Sequence, residues 1–158
     1  MNHIFQMILI MILSGLLSSM SVWADKLSDV RLSVNDLYMI LLMTAWMVFF
    51  MSIIHRDYTM VAISSIIIIA TYYSIRKQLF VSKSQFYTGM IPHHSMALLM
   101  GKRVLEKPDL TPGDKWFIGN IVKTQEAEIK QMKLFLSGEK ITSTTSRANS
   151  EWQETTKM

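Results

Sequence analysis

Two adjacent histidines, His93 and His94, follow a proline in the stretch GMIPHHSMALLMG (residues 89–101). The same stretch carries methionines at positions 90, 96 and 100. Imidazole and thioether groups together suit copper, because thioethers favour Cu(I) and imidazole accepts either oxidation state. The chain has no cysteine, so disulfides, thiolate metal sites and cysteine nucleophiles are excluded. The histidines therefore have three possible roles, namely metal binding, catalysis or a place in a packed core.

The motif lies on a helix that the periodicity predicts from about Lys83 to Glu106. On a helical wheel, His93 falls in the middle of an apolar stripe and His94 falls at its edge. The other members of this stripe are Phe86, Met90, Ala97, Met100 and Val104. We therefore expect His93, more than His94, to face a packed seam.

A second helix is predicted from Thr111 to about Leu136, with Thr111 as N-cap, a proline and an acid in its first turn, and Gly138 after its end. Its apolar stripe contains two polar residues, Gln125 and Glu128. The remaining members of that stripe are Phe117, Ile121, Met132 and Phe135, while Lys123, Glu126, Lys130 and Lys133 point away. A carboxylate on a buried face is costly unless it is paired, protonated or bound to a ligand.

Antiparallel packing of these two faces predicts a cluster of histidine, methionine, glutamine and glutamate side chains. Its candidate metal ligands are His93, His94, Met90, Met96, Met100, Glu128, Gln125 and Met132. The alternative is a polar core in which His93 donates a hydrogen bond to Glu128 and fixes the register of the helices. The hairpin lacks the Glu-x-x-His pairs of a di-iron site, and nothing in it marks a substrate pocket. We therefore expect no enzyme, and an enzyme of unidentified type is the weakest alternative.

The first half of the chain predicts the elements that position this hairpin. Residues 4–23, 37–54 and 58–75 are apolar runs without formal charge, each about the length of a membrane-spanning helix. Asn35 and Asp36 are the predicted caps of the second run, and residues 55–57 form a tight turn. The predicted fold class is all-α, with a membrane region (1–77), a helical hairpin domain (78–137) and a disordered tail (138–158).

The first run has a second interpretation, because Val22-Trp23-Ala24 resembles a signal-peptidase site, although no Lys or Arg precedes the apolar core. With three spans, the 24–36 loop and the segment after the third span share one side, which the distribution of Lys and Arg places in the cytoplasm. If the first run is cleaved, the distribution of Lys and Arg no longer favours the cytoplasm strongly. We expect a multi-pass protein of the cell membrane, of the bacterial inner-membrane type, with the side of the hairpin left open.

The second run contains a further pattern, because Met39, Met43, Met47 and Met51 recur every four residues and His55 continues the series. Such a series would present successive thioethers to Cu(I) along one helix face. The simpler interpretation is that methionine fills space between packed helices.

The motif residues resemble the family known as domain of unknown function 305. The matching features are Phe86, GMIPHHSMAL (89–98) and IVKTQEAEIKQMKLFL (121–136), and the methionine-rich residues 36–51 are similar to its membrane-anchored branch. The resemblance covers about residues 36–136. It implies a ferritin-like helical bundle and, from soluble secreted relatives, copper binding through Met and His in tolerance or trafficking. This chain departs from longer members in having one hairpin and no additional Met/His repeats.

The sequence thus predicts a membrane protein whose hairpin binds a copper ion for sequestration, tolerance or trafficking. The expected partners are the lipid bilayer and the metal ion. Because about 55 residues fall short of an independent core, we expect the hairpin to pack either against a second copy or against the membrane helices. Nucleic acid is not an expected partner. The first alternative is a structural or regulatory membrane protein whose His/Glu/Met cluster holds no metal.

Overall fold

The structure is a computed structural model, and it describes residues 2–138. Within that range the chain forms five α-helices and no strand, which confirms the all-α class. The helices are α1 (Asn2–Leu17), α2 (Val34–Ile54), α3 (Tyr58–Lys77), α4 (Lys83–Leu105) and α5 (Pro112–Leu136). The disordered tail predicted from the sequence lies, apart from Gly138, outside the described residues.

Three segments are long and apolar enough to cross a membrane, judged by length and composition: Phe5–Trp23, Val34–Ile54 and Tyr58–Lys77. The first of them is not one continuous helix, because α1 ends at Leu17 and a 3-10 turn follows at Met20–Trp23. The hydroxyl of Ser21 accepts from the amide of Arg31 (3.0 Å) and donates to its carbonyl (2.5 Å). This pair of hydrogen bonds folds the chain back on itself just beyond the end of α1.

Local hydrogen bonds define the ends of α2 and α3. Ser33 is the N-cap of α2, and Asp36 completes a capping box by accepting from the amide of Ser33 (2.8 Å). The N-cap therefore lies two residues before the predicted Asn35, while Asp36 does take part in the cap. The predicted turn between the helices is confirmed, with His55 ending α2 and Asp57 accepting from the amide of Met60 (3.1 Å) to begin α3.

Helices α4 and α5 form the predicted hairpin around a small apolar core. Its buried members are Ile91, Leu98, Ile129 and Met132. Helix α4 continues through Pro92, whose missing amide donor does not interrupt it. The predicted start of α5 is confirmed, because Thr111 accepts from the amide of Asp114 (3.2 Å) and Pro112 occupies the first turn.

The segment that joins α1 to α2, residues 18–33, is here called the linker, and it packs along α4. Just after the linker, the amide of Val34 donates to the side chain of Gln85 in the first turn of α4 (3.1 Å). The hydroxyl of Tyr38 donates to the carbonyl of Leu79 between α3 and α4. The linker and the hairpin therefore lie at the same end of α2 and α3, and the turn at His55 lies at the other end.

Candidate metal site

A cleft of about 250 Å³ opens between the beginning of α4 and the end of α5. It brings together four of the predicted ligands, namely Met90 and His94 from α4 and Glu128 and Met132 from α5. The cleft is also lined by Phe86, Tyr87 and Gln131. Antiparallel packing forms it, because the ring of Tyr87 near the start of α4 lies 4.4 Å, centroid to centroid, from the ring of Phe135 near the end of α5.

The polar centre of this cleft is the pair His94 and Glu128. Nδ1 of His94 lies 3.0 Å from a carboxylate oxygen of Glu128, and their side chains are 14% and 44% exposed. The Nδ1 atom itself is buried, and it has no polar neighbour other than Glu128 among the described residues. A buried nitrogen that lost this one neighbour would cost about 1–3 kcal/mol.

The protonation state of His94 is set mainly by burial. Desolvation lowers the pKa of His94 below its ordinary value of 6.5, the carboxylate of Glu128 opposes this by raising it, and neighbouring His93 lowers it further. The net direction is downward, so the neutral imidazole is favoured at pH 7. A neutral imidazole is the form that binds metal ions.

The expectation that His93 faces the seam was wrong, because His93 is exposed and His94 is the histidine in the cleft. The two imidazole rings lie 6.4 Å apart, centroid to centroid. Three further predicted ligands do not line the cleft: Met96 and Gln125 are half-buried elsewhere and Met100 is exposed. The structure thus assembles His94, Met90, Glu128 and Met132 and separates the remaining candidates from them.

The helix wheel failed because it assumed that α4 has one partner, whereas α4 packs against both α5 and the linker. Phe86, Met100 and Phe117, all placed on the predicted stripes, are exposed. The helices instead approach closely at Gly101, where a β-carbon added to the glycine would come within 2.5 Å of Val122. The buried face is therefore rotated from the one that the largest apolar residues indicated.

A buried polar cluster joins the linker to the hairpin, and sequence reasoning missed it. Asp29 is 1% exposed and Ser95 is fully buried. The hydroxyl of Ser95 donates to one carboxylate oxygen of Asp29 (2.7 Å), and the ammonium group of Lys133 pairs with the other. Lys133 was expected to point away from the apolar stripe of its helix, and its partner in the linker was not foreseen. The sequence hinted at this cluster only through two aspartates, Asp25 and Asp29, in the short connection between the first two apolar runs.

Further contacts extend this cluster along α4. The amide of Asp25 donates to the hydroxyl of Ser95 (2.9 Å), and the carboxylate of Asp25 pairs with Lys102 (2.6 Å). Burial alone would raise the pKa of Asp29, but hydrogen bonds from Lys133 and Ser95, together with the lysine charge, hold it below its ordinary value of 3.8. Asp29 is therefore an ionised group, and its counter-charge comes from α5.

Among residues 2–138, no group of three histidine, aspartate or glutamate side chains is arranged to hold a metal ion. A hard divalent cation would need such oxygen or nitrogen donors. Metal binding in the cleft would have to depend on the thioethers of Met90 and Met132 together with His94 and Glu128. Two thioethers and an imidazole fit a soft cation.

The described fold defines a helical protein in which three long apolar helices precede a hairpin carrying a His/Met/Glu cleft. A family model described as "Domain of unknown function (DUF305)" matches residues 83–158. The "Uncharacterized protein L153" of Acanthamoeba polyphaga mimivirus is 36% identical over 145 residues, which cover 89% of this chain and 95% of that protein. No solved structure matches the chain. The second half of the chain, residues 83–158, therefore carries a DUF305 domain.

Proposed function

We propose that this protein is an integral membrane protein whose α4–α5 hairpin binds copper in sequestration, tolerance or trafficking. The observation that carries the proposal is the imidazole of His94, which is 14% exposed, contacts the carboxylate of Glu128 and shares one cleft with two methionines. Thioether and neutral imidazole donors suit Cu(I), and the carboxylate of Glu128 beside them offsets positive charge. The family resemblance supports the same chemistry.

The residues would act in different ways on a bound ion. His94, with its lowered pKa, offers a neutral nitrogen without first releasing a proton. Met90 and Met132 offer sulfur from opposite helices, so an ion between them would link α4 to α5. Glu128 lies at hydrogen-bond distance from His94 and orients its ring, as carboxylates beside metal-binding histidines commonly do.

The side of the membrane is part of the proposal. The end of the helices that carries the linker and hairpin holds Lys26, Arg31, Arg76, Lys77 and Lys83, whereas the turn at the other end holds Arg56. Positive charge accumulates on the cytoplasmic side of membrane proteins. We therefore place the hairpin in the cytoplasm if α1 is retained.

A ferritin-like bundle is also part of the proposal, and it would require a second copy because one copy supplies only two of the four helices of such a bundle. Exposed aromatic residues on the hairpin, Phe86, Trp116 and Phe117, are consistent with a covered surface. The mass of the detergent-solubilised protein, measured by light scattering, tests whether two copies associate.

The adjacent histidines provide a matched pair of variants for testing metal binding. The full-length protein in detergent is titrated with Cu(I) against a chromophoric chelator, with His94→Ala beside His93→Ala. We expect His94→Ala to weaken the affinity of one bound equivalent by about tenfold or more, because losing a ligand costs at least as much as losing its orienting partner. His93→Ala should retain the wild-type affinity, because its ring lies outside the cleft.

The second candidate function is a structural or regulatory role in which His94 and Glu128 form a polar contact that fixes the register of α4 and α5. The 3.0 Å approach of these two groups favours it. If both histidine variants retain equal amounts of Cu(I) and both remain folded, the metal-binding proposal fails and this candidate stands. If Met90→Leu/Met132→Leu also loses the equivalent that His94→Ala loses, the thioether site is supported.

A further inference from the structure

A second group of soft donor atoms lies at the opposite end of the helices from the hairpin. A small cavity of about 100 Å³ there is lined by Met7 from α1 and by Met47, Met51 and His55 from the end of α2. Val48, Ser52 and Asp57 complete its lining. This cavity shares no residue with the α4–α5 cleft, so an inference about it does not depend on the proposed function.

The geometry of α2 explains why three of these donors lie together. Met47, Met51 and His55 are spaced four residues apart, so they lie one above another on one face of the helix. Helix α1 packs against α2 and adds Met7 to the same cavity. Only part of the four-residue methionine repeat of α2 lines the cavity. Met39 and Met43 lie outside it and are 55% and 42% exposed.

The donor types in the cavity select for a particular class of ion. Three thioethers and one imidazole are polarisable ligands, and such ligands favour soft monovalent cations such as Cu(I) over hard divalent ones. The one carboxylate in the lining, Asp57, is already engaged as the N-cap of α3 through the amide of Met60 (3.1 Å). The donors of the cavity are therefore mainly uncharged thioethers, which suit a single positive charge.

Packing alone gives a weaker account of this cavity. Methionine is common as flexible filler between helices, but filler methionines need no polar partner. Here the three methionines line one cavity together with His55, the residue that caps the end of α2. The volume of about 100 Å³ also leaves room that the surrounding side chains do not fill.

We propose that Met7, Met47, Met51 and His55 form a binding site for a soft monovalent cation, Cu(I) or Ag(I), at the end of the helices remote from the hairpin. The site lies where α1 meets the α2–α3 turn. An ion held there would connect α1 to α2 through sulfur ligands from both helices.

The experiment uses the full-length protein carrying His94→Ala, which removes the proposed hairpin ligand and leaves this cavity as the site under test. The protein in lipid nanodiscs is titrated with Ag(I) by calorimetry and with Cu(I) against bathocuproine disulfonate. The tested variants are Met7→Leu and Met47→Leu/Met51→Leu. The matched control is Met39→Leu/Met43→Leu, which makes the same exchange on the same helix outside the cavity.

We expect one equivalent of Ag(I) or Cu(I) to bind in the His94→Ala background, and each cavity variant to weaken it by about tenfold or more. The control should leave affinity unchanged, and Met→Leu conserves volume closely enough to keep the helices packed. X-ray absorption of the Cu(I) form should show about three sulfur neighbours. Absence of binding in the His94→Ala background, equal losses in cavity and control variants, or a copper ion without sulfur neighbours would each overturn the proposal.

Discussion

Removing the charge of Lys133 should release the linker from the hairpin. In Lys133→Met the aliphatic stem remains, but the carboxylate of Asp29, which is 1% exposed, loses its counter-charge. Breaking a buried ion pair from one side costs about 3–5 kcal/mol. Because the side chain of Lys133 is 32% exposed and water screens part of its charge, we expect about 2–3 kcal/mol.

Hydrogen exchange measures this loss at the contact itself. The amide of Asp25 donates to Ser95, and the amide of Asp29 donates to the carbonyl of Lys26 (2.9 Å), so both report on opening of the linker. A loss of 2–3 kcal/mol corresponds to exchange that is faster by about 30- to 150-fold. The protein is measured in lipid nanodiscs at neutral pH, where Asp29 is ionised.

Two further variants show whether the charge causes the effect. Lys130→Met removes an exposed lysine of the same helix that forms no ion pair within the described range, and it should leave exchange unchanged. Asp29→Asn/Lys133→Met removes both charges and should exchange more slowly than Lys133→Met alone, because no uncompensated charge stays buried. Wild-type exchange rates in Lys133→Met, or faster exchange in the double variant than in the single one, would refute the reasoning.

Two other predictions concern the same hairpin. Gly101→Ala places a methyl group 2.5 Å from Val122, so it should destabilise the fold by about 1–3 kcal/mol and lower the thermal midpoint. The double variant Gly101→Ala/Val122→Ala should recover part of the lost stability. Acid should weaken the docking of the linker on the hairpin below pH 3.8, because folding lowers the pKa of Asp29. The stability that ionised Asp29 contributes is fully present above its unfolded-state pKa of 3.8 and is lost as the pH falls through its lower folded-state pKa. Comparing exchange at pH 5 and pH 3 in wild type and Asp29→Asn isolates this contribution.

Each of these predictions has an outcome that contradicts it. An unchanged thermal midpoint for Gly101→Ala would mean that α4 and α5 do not approach closely at that position. An equal acid response in wild type and Asp29→Asn would mean that Asp29 is not held ionised by Lys133 and Ser95.

Elements whose signals are local could be predicted from the sequence. The start of α5 depends on Thr111, Pro112 and Asp114, which lie within four residues of one another, and the structure has the predicted cap. The α2–α3 turn at His55 was predicted for the same reason. The cap at Ser33 was missed because it lies before the apolar run, where the hydropathy pattern gives no boundary.

The faces of the helices could not be predicted, because burial depends on partners far along the chain. The helical wheel placed His94 at the edge of the apolar stripe and His93 in its middle, because a wheel describes one helix without its partners. Ser95 is buried by Asp29, which lies 66 residues earlier in the sequence. Spacing within α4 contains no information about that contact. Four of the eight candidate ligands lie in one cleft, but which histidine faces it could not be predicted.

The ion pair between Asp29 and Lys133 also has a consequence for the order in which contacts form during synthesis. Ser28 and Lys133, which share a hydrogen bond, are separated by 105 residues, so the linker emerges from the ribosome long before its lysine partner. Contacts between such distant residues form late, because the intervening chain must first be brought together. The carboxylate of Asp29 therefore lacks its counter-charge until α5 has been made, although its partner Ser95 on α4 is made earlier.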